Sequence, residues 1–197
     1  NVDQYSEELL DMVDGILICG GTQFFDYQFQ AIDHALKHGK PLLGICLGMQ
    51  CMVIQFARRI GMEGANSSEF KTDLEYPVID MMEEQKKIKN MGGTMRLGTY
   101  KCVLDPNSKA AKLYGKELVS ERHRHRYEFN GTYYDKYEKE GMLFAGMNPE
   151  SKLIELIELK GNHPYFVATI FEPEYKSRPY KPHPLFLGLM NTAKSIR

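Results

Sequence analysis

The residue best placed to do chemistry is Cys46, within Lys40-Pro41-Leu42-Leu43-Gly44-Ile45-Cys46-Leu47-Gly48-Met49-Gln50. An apolar run ends at this cysteine, a helical pattern begins straight after it, and a glycine lies two residues to either side. A sharp strand-to-helix turn needs that spacing, because side chains at the flanking positions would collide with the turning backbone. The turn lifts its middle residue clear of a sheet and sets it at a helix N-terminus. There the free N–H groups and the helix dipole favour a thiolate. The chemistry implied is nucleophilic catalysis through sulfur. A plain buried cysteine closing a core strand is the alternative, since free cysteine is commonly buried; the paired glycines favour the nucleophile.

Other segments carry weaker signals. Gly20-Gly21 follows an apolar run and reads either as an ordinary strand-to-loop turn or as backbone N–H groups facing an oxyanion, with the Leu47 N–H as second donor. Asn66-Ser67-Ser68-Glu69 has the form of a helix capping box, and Glu69 could instead hold a ligand's ammonium group. Arg122-His123-Arg124-His125-Arg126-Tyr127-Glu128 is a dense charge run: a solvated loop, a short nucleic-acid patch, or a site gripping a carboxylate through an arginine. His34 and His38, four apart with no acidic partner in the helix pattern, read as a surface pair, so no metal site is expected. Phe171-Glu172-Pro173-Glu174-Tyr175 ends a late strand, where an elbow enzyme keeps its base and the acid that orients it.

These residues need a scaffold, and the periodicity supplies one. Tyr5–Val13 suggests a short helix, and Ile16–Cys19 a short inner strand. Gln30–His38 is helical with Gly39 as its stop. Pro41–Cys46 is the next strand, and Gln50–Ile60 the next helix, with Val53, Phe56, Ala57 and Ile60 as its stripe. Strand–helix–strand–helix describes βαβ units and a parallel sheet covered on both faces. Further on, Lys86, Lys87 and Lys89 read as a solvated face. Thr94–Leu97 and Tyr100–Leu104 read as a strand pair, with Tyr127–Phe129, Leu143–Ala145, Leu153–Leu159 and Tyr165–Phe171 as later strands. Pro182–Ser195 closes the chain as a helix.

The 197 residues suit one domain, 1–197, able to bury a core, and 43% apolar with 26% charged is ordinary for a globular protein. A net charge of −1 argues against nucleic acid or an anionic membrane as a partner, and no apolar stretch approaches spanning length. Four cysteines without ligand spacing point to a reducing, cytoplasmic setting. The start at Asn1, close to a buried-looking strand, suggests a trimmed chain.

Gly44-Ile45-Cys46-Leu47-Gly48-Met49-Gln50 resembles the nucleophile motif of the class I glutamine amidotransferases. Ala65–Phe70, Gly92–Gly98, Glu121–Glu128, His163–Phe166 and His183–Phe186 resemble segments of the branch that serves CTP formation. The resemblance runs from about Asp14 to the C-terminus. It implies a flavodoxin-like α/β fold with a parallel or mixed sheet, helices on both faces and an added strand pair. The domain's first strand and helix and a whole synthetase domain would be absent. Cys46 would attack L-glutamine and form a γ-glutamyl thioester, with Gly21 and Leu47 holding the oxyanion. Gly20, Gln50, Glu69, Arg126 and Tyr127 would bind the substrate, Glu69 at its ammonium and Arg126 at its carboxylate. No cofactor is implied in this domain. ATP, UTP and Mg²⁺ belong to the synthetase domain, GTP is the activator, and the full-length enzyme is a homo-oligomer.

Two departures stand out. The family carries histidine, proline and glutamate where this chain has Glu172-Pro173-Glu174. Glu174 keeps the orienting acid's place, but the base position holds Glu172. Carboxylates titrate near ~4.3 and thiols near ~8.5, so Glu172 is expected to be a poor proton acceptor whose charge raises the thiol's pKa. His163 and His183 already fill other family positions. Thr22-Gln23-Phe24-Phe25 also replaces a Gly- and Arg-containing loop after Gly20-Gly21. Two readings follow: a glutaminase module, or a glutaminase fold that serves as scaffold or regulator. A cysteine hydrolase of another substrate fits less well, because the glutamine-contact positions are filled.

Overall fold

The computed structural model describes residues 6–81 and 95–196. In chain order its elements begin with α1 (Glu7–Met12), β1 (Ile16–Ile18), α2 (Asp26–His38), β2 (Leu42–Ile45) and α3 (Leu47–Arg59). There follow β3 (Asn66–Ser67), β4 (Pro77–Asp80), β5 (Arg96–Leu104), a helix Lys109–Tyr114, β6 (Leu118–His125) and β7 (Glu128–Phe129). The chain continues through a helix Tyr134–Lys139, β8 (Met142–Met147), β9 (Ile154–Leu159), β10 (Phe166–Thr169) and a closing helix Pro184–Ser195.

The main sheet has seven strands in the order β1-β2-β10-β9-β8-β5-β6. Only β1, β2 and β10 run parallel, and from β9 outward every pairing is antiparallel. The wholly parallel sheet suggested by the βαβ periodicity is thus limited to its first part. Helices cover both faces, as the α/β reading requires. Leu42 and Phe166 face the cluster containing α2 and α3. Leu43, Ile45 and Val167, of opposite parity, face Leu185 and Leu189 of the closing helix and Ala110 and Ala111. Each fully buried leucine contributes roughly 1.5–3 kcal/mol of transfer free energy.

Helix α3 is buried from Leu47 through Ala57, well beyond the stripe expected for a helix with one wet face. The second sheet, β3-β4-β7, explains this, together with Tyr137, whose hydroxyl donates to the Val53 carbonyl at 2.9 Å. Helix α2 ends as expected at Gly39, φ 65°, whose N–H returns to the Ala35 carbonyl.

Three local readings are corrected. The strand pair read over Thr94–Leu97 and Tyr100–Leu104, whose Thr94 lies outside the described residues, is one strand: β5 runs through Gly98 at φ 114° and pairs with β6. Asn66-Ser67-Ser68-Glu69 starts no helix. It is strand β3 and a turn in which the Ser67 hydroxyl accepts from the Glu69 N–H at 3.2 Å. The charge run at 122–125 is not a solvated loop but the buried-exposed alternation of β6. Lys86, Lys87, Lys89 and Gly92-Gly93 lie outside the described residues.

Candidate active site

Cys46 sits at φ 51°, ψ −105°, a backbone conformation rarely adopted by a side-chain-bearing residue. Its N–H donates to the Thr169 carbonyl of β10 at 2.7 Å, and its carbonyl accepts from Gln50 N–H at 3.1 Å. The elbow is therefore tied to the sheet on one side and to α3 on the other. A Cβ on Gly44 would lie 2.5 Å from Met52 Sδ and 2.9 Å from the Gly48 carbonyl, and one on Gly48 only 2.2 Å from the Ile18 carbonyl oxygen. Gly44 lets α3 pack back onto β2, and Gly48 lets α3 start this close to β1.

The end of β10 comes to the same place. The Glu172 N–H donates to the Arg122 carbonyl at 2.8 Å, hooking this turn onto β6. A Cβ built on Gly20 would lie 3.5 Å from Glu172 Oε2 and 3.6 Å from Cys46 Cβ, so Gly20, Cys46 and Glu172 converge. Gly21 lies against Leu47, its virtual Cβ 3.1 Å from Leu47 Cδ2. The substituted loop leads directly into α2: Phe25 N–H donates to Gln28 Oε1 at 2.9 Å, and Phe24 packs on Phe70 with ring centroids 4.4 Å apart.

Glu172 interacts electrostatically with both Cys46 and Glu174. Burial, then the hydrogen bond and charge of Glu174, push Glu172 up to about 7, against opposing contributions from Cys46 and Arg124. A carboxyl titrating there has the basicity of a histidine, so the expectation of a base near ~4.3 is revised. Its charge is still of the wrong sign. Burial, then the charge and hydrogen bond of Glu172, drive the Cys46 thiol far above its ordinary range, outweighing the Leu47 N–H at the helix start. A neutral histidine would become a cation on taking the thiol's proton, whereas Glu172 must already carry a negative charge to accept it.

The other predicted positions form a second group. Glu69 and Arg126 interact electrostatically, and Tyr127 feels both; burial lifts the Glu69 carboxyl while Arg126 opposes the lift. Gln50, one helical turn after Cys46, is 3% exposed and its Oε1 has no partner among the described residues. Neither spare histidine belongs to the elbow. His163 Nε2 is 3.0 Å from the Ala35 carbonyl, and His183 Nε2 is 3.0 Å from the Tyr114 hydroxyl.

The sequence reading missed what lies under β6. Arg96 bridges Glu128 at 3.0 Å and Glu155 at 2.8 Å, His125 meets Glu128 at 2.7 Å, and His123 pairs with Glu155. All five are buried. Burial opposes the Arg96 charge, but its two carboxylates more than offset that and raise its pKa. The network anchors β6, whose Arg122 carbonyl holds Glu172 and whose Arg124 faces it. The signal was the period-two alternation of Glu121, His123 and His125.

A strand-to-helix elbow at Cys46 fed by β2, with an acid-bearing turn after β10, is matched by a recognised class. The chain belongs to the class-I glutamine amidotransferase family, whose model matches residues 1–192. Within the family its likeness is to CTP synthase. The glutaminase domain of Trypanosoma brucei CTPS, solved with bound acivicin, superposes with a TM-score of 0.86 at 32% identity, covering 95% of this chain and 74% of that one. The CTP synthase of Methanothermobacter thermautotrophicus is 50% identical over 193 residues, 97% of this chain and 36% of the relative. That of Caldanaerobacter subterraneus subsp. tengcongensis is 52% identical over 198 residues, covering 99% and 37%. The chain thus spans little more than a third of these curated relatives. Among the described residues no helix is long and apolar enough to cross a membrane.

Proposed function

We propose that this chain is a glutaminase module, using Cys46 to release ammonia from L-glutamine, and that Glu172 in the base position makes it slow near neutral pH. The observation that carries the reading is the positive φ of Cys46, held between Gly44 and Gly48 with Gly20 and Glu172 alongside. In the reaction, ionised Glu172 takes the thiol proton as sulfur attacks the side-chain amide carbon. The Gly21 and Leu47 N–H groups hold the oxyanion. Collapse breaks the C–N bond, and protonated Glu172 returns its proton to the leaving nitrogen, releasing ammonia. Water then attacks the γ-glutamyl thioester, again losing its proton to Glu172, and glutamate and the free thiol result. Glu174 orients Glu172. Glu69 takes the substrate's ammonium, Arg126 its carboxylate, and Gly20, Gln50 and the Tyr127 backbone complete the site.

By likeness to CTP synthases, the ammonia would pass to a synthetase domain that aminates UTP at the expense of ATP with Mg²⁺, under GTP activation, in a homo-oligomeric whole. A second reading has its own observation: the raised Cys46 thiol beside a carboxyl suits a fold kept as scaffold or regulator while the synthetase uses free ammonia. Labelling with a glutamine-like electrophile separates the two. The glutaminase reading expects modification at Cys46, faster as pH rises, with the exposed Cys19 and the buried Cys51 and Cys102 untouched. Equal labelling of Cys19 and Cys46, or none at Cys46, supports the scaffold.

A further inference from the structure

We propose that Glu7, His34 and His38, with Asp11 beside them, form a binding site for a zinc-class divalent metal that fastens α1 to α2. Read from the sequence, His34 and His38 are a surface pair without an acidic partner. In the structure His34 is only 4% exposed, and neither of its ring nitrogens has a hydrogen-bond partner among the described residues. A buried imidazole that makes no hydrogen bond, with only the Asp11 carboxylate near its Nε2, is uncommon and leaves its ring nitrogens available to a ligand. The missing acids come from the neighbouring helix. Glu7 and Asp11 lie one turn apart on α1, as the two histidines do on α2, and the pairs face each other.

The candidate ligand atoms of Glu7, His34 and His38 all lie within 4.8 Å of one another. Asp11 Oδ1 is 3.4 Å from His34 Nε2, about the edge length of a tetrahedral ligand set with bonds of 2.0–2.1 Å. Glu7 and His38 are exposed, and the His38 ring rests on that of His34 with centroids 4.4 Å apart, so the two exposed side chains are the ones that turn to complete the set around His34. Two imidazoles and two carboxylates suit zinc or its neighbours rather than calcium or magnesium, which favour all-oxygen cages. The two carboxylates also balance a dication.

The fold gives such a clamp a purpose. No residue of α1 is buried, and Lys40 Nζ, bonded to the Asp11 and Val13 carbonyls at 2.9 and 2.8 Å, holds only its C-terminal end. Leu10 of α1 lines a cavity shared with Gly20, Gly21 and Leu47, so fixing α1 fixes one wall beside the elbow.

The test is Zn²⁺ binding to the tag-free chain by equilibrium dialysis with elemental analysis, supported by Co²⁺ visible absorption. One metal per chain is expected, with a thermal midpoint that rises on adding Zn²⁺. Glu7→Gln and His38→Asn, both at exposed positions, should each weaken binding by about tenfold or more while leaving circular dichroism unchanged. Cys19→Ser should bind as the parent does. Binding that survives both ligand substitutions, binding lost in Cys19→Ser, or no saturable uptake at micromolar Zn²⁺ would overturn the proposal.

Discussion

Replacing Glu172 by Gln keeps the side chain's shape and removes its charge, and its effect on stability follows from the environment of that carboxyl. In the fold Glu172 titrates near about 7, against about 4.3 for glutamate in an unfolded chain. The folded protein therefore binds this proton more tightly than the unfolded one. The resulting stability is fully present below about pH 4, falls as pH climbs, and is lost once pH passes about 7. At 1.36 kcal/mol per pH unit the loss across this window is roughly 3–4 kcal/mol. Glutamine at 172 has nothing to ionise. Guanidinium unfolding at pH 4 should give similar free energies for parent and Glu172→Gln, and at pH 8 the variant should be the more stable by on the order of 3 kcal/mol. Parallel stability curves over this range would mean that Glu172 is solvated and that no electrostatic cost is stored beside Cys46.

Two further substitutions test the frame around the site. Gly48→Ala puts a methyl against the Ile18 carbonyl; backbone cannot rotate away, so a loss of more than about 3 kcal/mol or failure to fold is expected. Gly131→Ala, with nothing within 4 Å, is its near-neutral control in the same thermal scan, and equal effects would refute the steric argument. Arg96→Met leaves Glu128 and Glu155 without their guanidinium and should cost about 3–5 kcal/mol. A change below about 1 kcal/mol in urea titrations would show that the network does not anchor β6.

How much of this was legible in the residues depends on what fixed each element. The elbow was readable because its constraint is local: only glycine fits at 44 and 48, whatever else surrounds the turn. The inner strands and α2 were readable because apolar period and the Gly39 stop agree. Strand β6 was not, because Glu121, His123 and His125 enter the interior only where Arg96, Glu155 and other distant groups neutralise them. Asn66–Glu69 misled for the opposite reason. The residues of a capping box are also those of a strand-ending turn, and pairing with β4 decides between them. Gly98 looked like a break between two strands, yet the chain carries its positive φ within one. At the site, the identity of Glu172 gave the wrong charge correctly but not its basicity, which burial and Glu174 set together.

In the proposed reaction Cys46 is a nucleophile limited by Glu172 beside it. The most direct measurement is steady-state glutamate release from glutamine by the parent chain, Glu172→His and Cys46→Ala. A histidine gains positive charge on taking the thiol's proton, so Glu172→His should raise the rate by the ~10²-fold typical of a general base. Cys46→Ala should abolish release. A Glu172→His rate equal to or below the parent's would contradict the claim that the carboxyl at 172 limits this elbow.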